Sequence, residues 1–249
     1  MENTDIDILW KNAIAKASLV GYAITDCNAP DTKLAILRAT SEDSTYGILY
    51  LDSDSNQVRT KKLPYDILGY YYQNCSFFIA HKKSQYQKKP YGYLLDSKGN
   101  LMYEGLISKV YSYGPNLYQI LYYTISNCIG TVIVRGNNVI ASIEHLPVSN
   151  CITYQTMGII INTPYENSAY GPLQLYFLKY KDRVFRYTLD EVKFFKLHEK
   201  HGIKNGEYLT ELLFEYSTSS GETHIFNLEE VRLLLDNPSL AKERGFKIL

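Results

Sequence analysis

Phe185-Arg186-Tyr187-Thr188-Leu189-Asp190-Glu191-Val192 is matched, at an offset of 39 residues, by Ile225-Phe226-Asn227-Leu228-Glu229-Glu230-Val231. Each copy has the pattern of a strand end, a capping residue and a helix. Thr188 stands three residues before Glu191, and Asn227 three before Glu230, so each segment offers a capping side chain and an acid to the positive end of a helix. Leu189, Val192 and Leu197 supply an apolar face to the first helix. Lys196, His198, Lys200 and His201 crowd its last turn, and Gly202 can adopt the left-handed stop. The second helix carries Leu228, Val231, Leu234 and Leu235 and halts or kinks at Pro238. Hairpin-like segments precede both, Leu175 to Tyr187 and Leu212 to Phe226, the second turning at Ser217-Thr218-Ser219-Ser220-Gly221. The unit is strand, strand, helix, and it predicts an α+β fold: mixed, mainly antiparallel sheets of β-hairpins with short capped helices, in degenerate ββα units.

Working towards the N-terminus, Tyr46-Gly47-Ile48-Leu49-Tyr50-Leu51-Asp52-Ser53 recurs as Tyr91-Gly92-Tyr93-Leu94-Leu95-Asp96-Ser97, with Gly21-Tyr22-Ala23-Ile24-Thr25-Asp26 a fainter copy. Hairpins are expected around Ser97-Lys98-Gly99-Asn100 and around Arg135-Gly136-Asn137-Asn138, where short loops containing Gly separate strand-forming runs. Tyr46 to Lys62 forms a further hairpin, Pro64 to Gln73 a short helix with Pro64 in its first turn, Cys75 to Ala80 a returning strand, and Leu117 to Ile125 a strand. Thr163 to Pro172 has the turn-rich composition of a boundary. The chain is therefore divided into a β-rich α+β domain, 1–166, and a C-terminal α+β domain of two hairpin-helix units, 167–249. The first holds 14 basic and 14 acidic residues and the second 12 of each, so neither is a polyelectrolyte.

The hairpin-then-capped-helix unit, followed by Gly202-Ile203-Lys204-Asn205, resembles small repeated ββα modules of uncharacterised proteins of Firmicute phages and mobile elements. The resemblance covers Leu173 to Leu249 and the rest faintly. It implies a small modulator of host machinery and brings no active-site residues with it. Leu63-Pro64-Tyr65-Asp66 departs from the pattern where a capped acidic start would stand.

The chain has 249 residues, 45% hydrophobic and 21% charged, an ordinary balance for a folded protein. Lys+Arg and Asp+Glu are 26 each, which removes the net positive charge that makes nucleic acid or an acidic membrane a default partner. No apolar run approaches the roughly 18 residues of a membrane span, and Met1 to Trp10 lacks the pattern of a signal peptide, so a cytoplasmic, intracellular protein without a membrane partner is expected. Tyr accounts for 24 residues against 9 Phe and 1 Trp, so most aromatic bulk carries a hydroxyl that needs a partner or water. Cys27, Cys75, Cys128 and Cys151 form no C-x-x-C pair. The last three each follow an Asn and precede an apolar stretch, as small residues at strand starts do.

Two constellations invite chemistry and are better explained without it. His198-Glu199-Lys200-His201 is one residue short of H-E-x-x-H, and His and Lys at a helix C-terminus offset the carbonyls there. Asp52-Ser53-Asp54-Ser55-Asn56 mimics the start of a calcium loop, but Gln57 and Leu63 stand where the Gly and the bidentate Glu belong, and a hairpin turn is the simpler account. No nucleotide or hydrolase motif is present, and neither a cofactor, a metal nor a catalytic residue is assigned. The electrostatic feature is local: Arg59, Lys61, Lys62, Lys82, Lys83, Lys88 and Lys89 face Asp66 alone across Arg59–Lys89, with Tyr65, Tyr70, Tyr71, Tyr72 and Tyr86 among them. Lysines that neutralise phosphates and rings that stack on bases suit a single-stranded nucleic acid, and they also suit an acidic or RNA-shaped partner. Lysines guarding a sheet edge give the plain alternative. The leading expectation is a non-enzymatic macromolecule-binding protein, a phage or mobile-element modulator that blocks a host protein or nucleoprotein such as an RNA-guided nuclease. Direct single-stranded nucleic-acid binding, and a small hydrolase or nuclease with a dispersed site, are the alternatives.

Overall fold

The computed structural model describes residues 3–26, 33–39, 46–52, 54–64, 67–74, 77–82, 91–114, 116–123, 128–162, 171–179, 183–204 and 207–249. The chain divides into two compact units. One comprises Met1–Val110, Ile120–Tyr122 and Gly136–Val139; the other comprises Tyr111–Gln119, Tyr123–Arg135 and Ile140–Leu249. The fold is mostly β, which corrects the expected α+β assembly of ββα units.

After helix α1 (Asn3–Leu19), strands β1 (Tyr22–Asp26), β2 (Leu34–Ala39), β3 (Tyr46–Asp52) and β4 (Gln57–Lys62) form an antiparallel meander in chain order. The apolar runs of β2 and β3 are buried on both faces, which is why neither alternates cleanly with polar residues. Trp10, Ala13, Ile14 and Ala17, spaced as one face of a helix, pack α1 on Ala35, Leu37, Leu49 and Val58. Leu34, Ile36, Tyr46 and Ile48 on the opposite face meet Ala80, Tyr93 and Leu95 of the next sheet.

That second sheet is also a meander: β5 (Ile67–Asn74), β6 (Phe77–Lys82), β7 (Tyr91–Asp96) and β8 (Leu101–Leu106). Its first strand overturns the helix expected from Pro64 to Gln73. Three successive tyrosines, with Ile67 and Leu68 before them, form a strand once β6 is there to pair with. The two turns that look alike in sequence meet in space. Asp96 builds the β7–β8 turn by accepting from Lys98 N and Asn100 N at 2.9 and 2.8 Å. Lys61 Nζ then donates to Lys98 O, Gly99 O and Asn100 Oδ1 at 3.2, 3.3 and 2.8 Å. Gly99 has φ +69°, and a Cβ there would sit 3.0 Å from Ile48 and from Leu63.

A third four-stranded sheet has the order β12-β11-β10-β9, from β9 (Lys109–Ser112), β10 (Leu117–Tyr123), β11 (Cys128–Arg135) and β12 (Asn138–Pro147). The strand expected at 117–125 belongs to it as far as Tyr123, residues 124 and 125 lying outside the described residues, and so does the hairpin at 135–138. A 3-10 turn, Val148–Asn150, leads into the largest sheet, which curls into a half-barrel. Its antiparallel order is β13 (Cys151–Tyr154), β14 (Met157–Asn162), β15 (Gly171–Lys179), β16 (Arg183–Lys204), β17 (Glu207–Thr218) and β18 (Thr223–Asn227). Of the expected boundary segment, 163–170 lies outside the described residues; the strands on either side of it pair with each other from Gly158↔Leu178 to Asn162↔Gln174.

The first of the two expected C-terminal helices is absent. Residues 188–201 continue β16 as strand, paired with β17 from Val192↔Thr218 to Lys204↔Glu207. The second helix forms: α2 (Leu228–Leu234) starts where Asn227 accepts from Glu229 N at 2.9 Å. Pro238 ends that path and opens α3 (Pro238–Glu243), capped by Asn237, before β19 (Lys247–Ile248) pairs with β16. Lys179, nearly buried, donates to Arg232 O at the end of α2 at 2.7 Å and pairs with Asp236 at 2.5 Å, so a cation closes the negative helix end. Leu228, Val231, Leu235 and Ala241 of the helices join Leu175, Phe177, Phe185 and Phe214 of the strands in one core.

Candidate binding surfaces

The basic and tyrosine-rich stretch divides between two sheet edges. Arg59, Lys61 and Lys62 lie on β4, the last strand of the first sheet, and Tyr70, Tyr71 and Tyr72 on β5, the first strand of the second. By backbone register these tyrosines oppose Ala80, Ile79 and Phe78, and Lys82 opposes Ile67. Lys83, Tyr86, Lys88 and Lys89 lie outside the described residues. Two of the β4 cations are engaged within the molecule. Arg59 Nε pairs with Asp52 at 3.0 Å, while Lys61 holds the β7–β8 turn. Lys62 is exposed.

The other sequence motifs resolve in structural terms. Asp52 closes its hairpin by accepting from Ser55 Oγ at 3.0 Å and Asp54 N at 3.3 Å, and the hydrogen bond from Ser55 holds its carboxyl below the usual carboxylate range. His198 and His201 sit on a strand, three positions apart, and so project to opposite faces; His198 faces Glu215 at 3.7 Å and His201 faces Glu199 at 3.8 Å. No group of three potential metal ligands occurs among the described residues. Cys151 opens β13, as its sequence context suggested, and burial pushes its thiol up to about 12, despite a hydrogen bond with Gln119 that acts the other way. A thiol so placed is a poor nucleophile.

One concavity among the described residues was not anticipated. It is an open groove of about 530 Å³ in the second unit, lined by Tyr187, Ile225, Phe226, Val231, Leu234 and Phe246, with Asn227, Glu230 and Arg244 as its polar members. Aromatic rings make its floor: Tyr187 lies 4.7 Å from Phe246 and meets Phe226 edge-on at 5.8 Å. Tyr187 and Phe226 occupy equivalent places in the 39-residue sequence repeat, so the repeat marks the groove although it does not mark two helices. β18 supplies Ile225, Phe226 and Asn227 to the lining, and Phe246 immediately precedes β19. Among the described residues β18 has a strand neighbour only in β17, and β19 only in β16. Ile225 on β18 is 59% exposed and Ile248 on β19 44%.

Charge is distributed unevenly around this groove. Glu229 is bound by Arg232 through two hydrogen bonds, of 2.9 and 2.7 Å, which hold its carboxyl below the usual range, so these two neutralise each other. Glu230 on α2 and Arg244 after α3 are exposed, and neither has an ion-pair partner among the described residues. Asn227 is occupied as the α2 cap. Glu230 and Arg244 are thus the two exposed charged members of the lining, beside the aromatic rings. The chain matches no model of a known protein family, and no curated protein is significantly similar to it in sequence. No helix among the described residues is long and apolar enough to cross a membrane.

Proposed function

We propose that this protein is a non-enzymatic binding protein that docks another protein through the half-barrel end of its second unit. The observation that carries this reading is the groove beside β18: an aromatic floor, an exposed Ile225 and a strand edge that has no strand opposite it among the described residues. Apolar area supplies affinity and an open edge supplies direction, a combination used when an extended segment adds to a sheet. The finer reading is a modulator carried by a phage or mobile element that occupies a host protein or nucleoprotein.

The test is affinity capture with the immobilised full chain from a Firmicute cell extract, with and without nuclease, comparing the native protein with Ile225→Lys. Ile225 is exposed, so this substitution changes the surface and spares the core. A protein retained by the native chain after nuclease treatment and released by Ile225→Lys supports the reading. Retention that disappears with nuclease transfers the function to nucleic acid, for which exposed Lys62 and the neighbouring Tyr-rich edge strand are the place to look. Retention that Ile225→Lys leaves unchanged overturns docking at this end.

A further inference from the structure

We infer that helix α1 pairs with the same helix of a second copy of this chain, antiparallel and about a two-fold axis, along a side that the chain itself leaves uncovered. This surface belongs to the first unit, and the inference does not depend on what the groove binds. Helix α1 is apolar on two opposite sides. Trp10, Ala13, Ile14 and Ala17 turn towards the sheet of β1–β4. At about 100° per residue, Ile8, Asn12, Ala15 and Leu19 run in one line down the opposite side, in steps of four, three and four. All four face solvent. Ile8 is 53% exposed and Leu19 87%, with Leu9 and Val20 beside them at 44% and 68%. A helix that is apolar on both sides is ordinarily covered on both, and an exposed apolar stripe of this kind marks a contact.

Spacing and charge name the occupant and its direction. Steps of four and three are the a and d positions along which two helices pack knobs into holes. Asn12 stands in the middle of that line. An asparagine there is costly against lipid or a wholly apolar partner, and is accommodated when the facing helix brings its own, as in two-stranded coils. A second copy does so. With Ile8 set against Leu19 of the second copy, Asn12 meets Ala15 and lies within one turn of the other Asn12. The residues flanking the line decide between the two alignments. Parallel helices would bring Lys11 of one copy beside Lys16 of the other, like against like. Antiparallel helices bring Lys11 beside Ser18, and Lys16 beside Leu9, whose exposed side chain the lysine stem can cover. They also oppose the two helix dipoles. Both ends are then alike, so the contact closes on itself and stops at two copies. A single helix of about 25 Å makes a contact at the low end of interface sizes, so the pair forms reversibly as concentration rises.

The experiment is sedimentation velocity of the full chain from about 5 μM to about 500 μM, where the average sedimentation coefficient should climb from monomer towards dimer. Ile8→Lys and Leu19→Glu, each placing a charge against an apolar side chain of the other copy, should weaken association about tenfold or more. Both residues are exposed, so the substitutions spare the core, and circular dichroism verifies the fold. The two substitutions combined in one chain should restore most of the association. Antiparallel pairing sets the new cation against the new carboxylate at both ends, whereas parallel pairing sets like charges together. Val139→Lys, at an equally exposed apolar residue of β12, should change nothing. A chain that stays monomeric throughout overturns the inference, as does association that the single substitutions leave intact or that Val139→Lys weakens equally. A double variant no better than the single ones overturns the antiparallel pairing. Flotation with phosphatidylserine-containing vesicles covers the other use of such a stripe: a monomeric chain that floats with them, and ceases to with Leu19→Glu, gives the stripe to a membrane surface and overturns the second copy.

Discussion

Gly158→Ala offers a test in which the sign alone is informative. Gly158 lies within β14 opposite Leu178, and at an ordinary interior strand position alanine is better than glycine by roughly 0.5–1 kcal/mol. Here a Cβ would clash with both Cζ and the hydroxyl oxygen of Tyr113, well inside van der Waals contact. That ring cannot simply swing away. Tyr113 is 4% exposed, its hydroxyl donates to Gln119 Oε1 at 3.1 Å, and Gln119 in turn donates to Thr131 Oγ1 at 3.2 Å. Overpacking costs about 1–3 kcal/mol, and pulling the hydroxyl off Gln119 strands a buried acceptor for about 1–3 kcal/mol more. After the propensity gain is subtracted, the expected destabilisation is about 2–4 kcal/mol. Denaturant titration by far-UV circular dichroism reads the total, and hydrogen exchange at the β14 amides localises it. In a Tyr113→Ala background, itself destabilised by the cavity, the same glycine substitution should become neutral or stabilising. A stabilising Gly158→Ala in the native chain, or equal effects in the two backgrounds, refutes the account.

Lys61→Met should cost about 1–2 kcal/mol because it strips three acceptors of the β7–β8 turn of their donor, whereas exposed Lys62→Met should change stability by less than about 0.5 kcal/mol; urea titration compares them. Asn227→Ala removes the α2 cap and should cost about 0.5–2 kcal/mol, with faster amide exchange at Glu229. Glu191 has φ +56° at a bulge, so Glu191→Val should cost about 1–2 kcal/mol while Glu191→Gly is tolerated, as measured by thermal unfolding. Burial raises Cys151 from an ordinary 9.0 and Tyr113 from 10.0, each to about 12. Folding therefore keeps protons that the unfolded chain releases, so stability is full below the ordinary values and falls as pH rises through 9–12 for Cys151 and 10–12 for Tyr113, by about 1.4 kcal/mol per pH unit per group. Cys151→Ala should flatten the fall between pH 9 and 10; an unchanged slope would contradict the buried-thiol assignment.

The local pieces were more legible than the assembly. Hairpins at Asp52–Asn56, Ser97–Asn100 and Arg135–Asn138 follow from turn residues between strand-forming runs, and all three are present. Helix α1 went unread: of Trp10, Ala13, Ile14 and Ala17, which pack it on the sheet, two are alanines whose burial depends on a sheet that sequence does not display. The groove was the harder object. Its floor is assembled from β16, β18 and the segment before β19, so Tyr187, Phe226 and Phe246 become neighbours through pairings remote in the chain. The basic stretch shows the converse: charge counting brings Arg59 and Lys61 forward, but it cannot see that a carboxylate and three turn acceptors already engage them.

The misread helix has a specific cause, and it bears on how such segments should be read. The inward apolar positions of β16 are Phe185, Leu189, Val192, Phe195 and Leu197, with Tyr187 completing the alternation between the first two. Steps of two become steps of three on either side of Val192. The pairings explain both. Gly171↔Val192 and Leu173↔Leu189 leave one extra residue on β16, and Val192↔Thr218 and Phe194↔Ser217 leave another. Two successive bulges thus write an i, i+3 spacing into a strand, next to a Thr and an acid that look like a cap. The charges deepen the ambiguity: Lys196, Lys200 and Lys204 recur every four residues, which lies on one face of a helix and equally on one face of a strand. The structure sets them opposite Glu215, Glu211 and Glu207, a ladder that favours pairing across two strands. In Leu228, Val231, Leu234 and Leu235 the helical spacing runs on without returning to steps of two, and there the helix is real. What separates the copies is therefore whether the rhythm resumes alternation within six residues, together with a second segment carrying the opposite charges in reverse order.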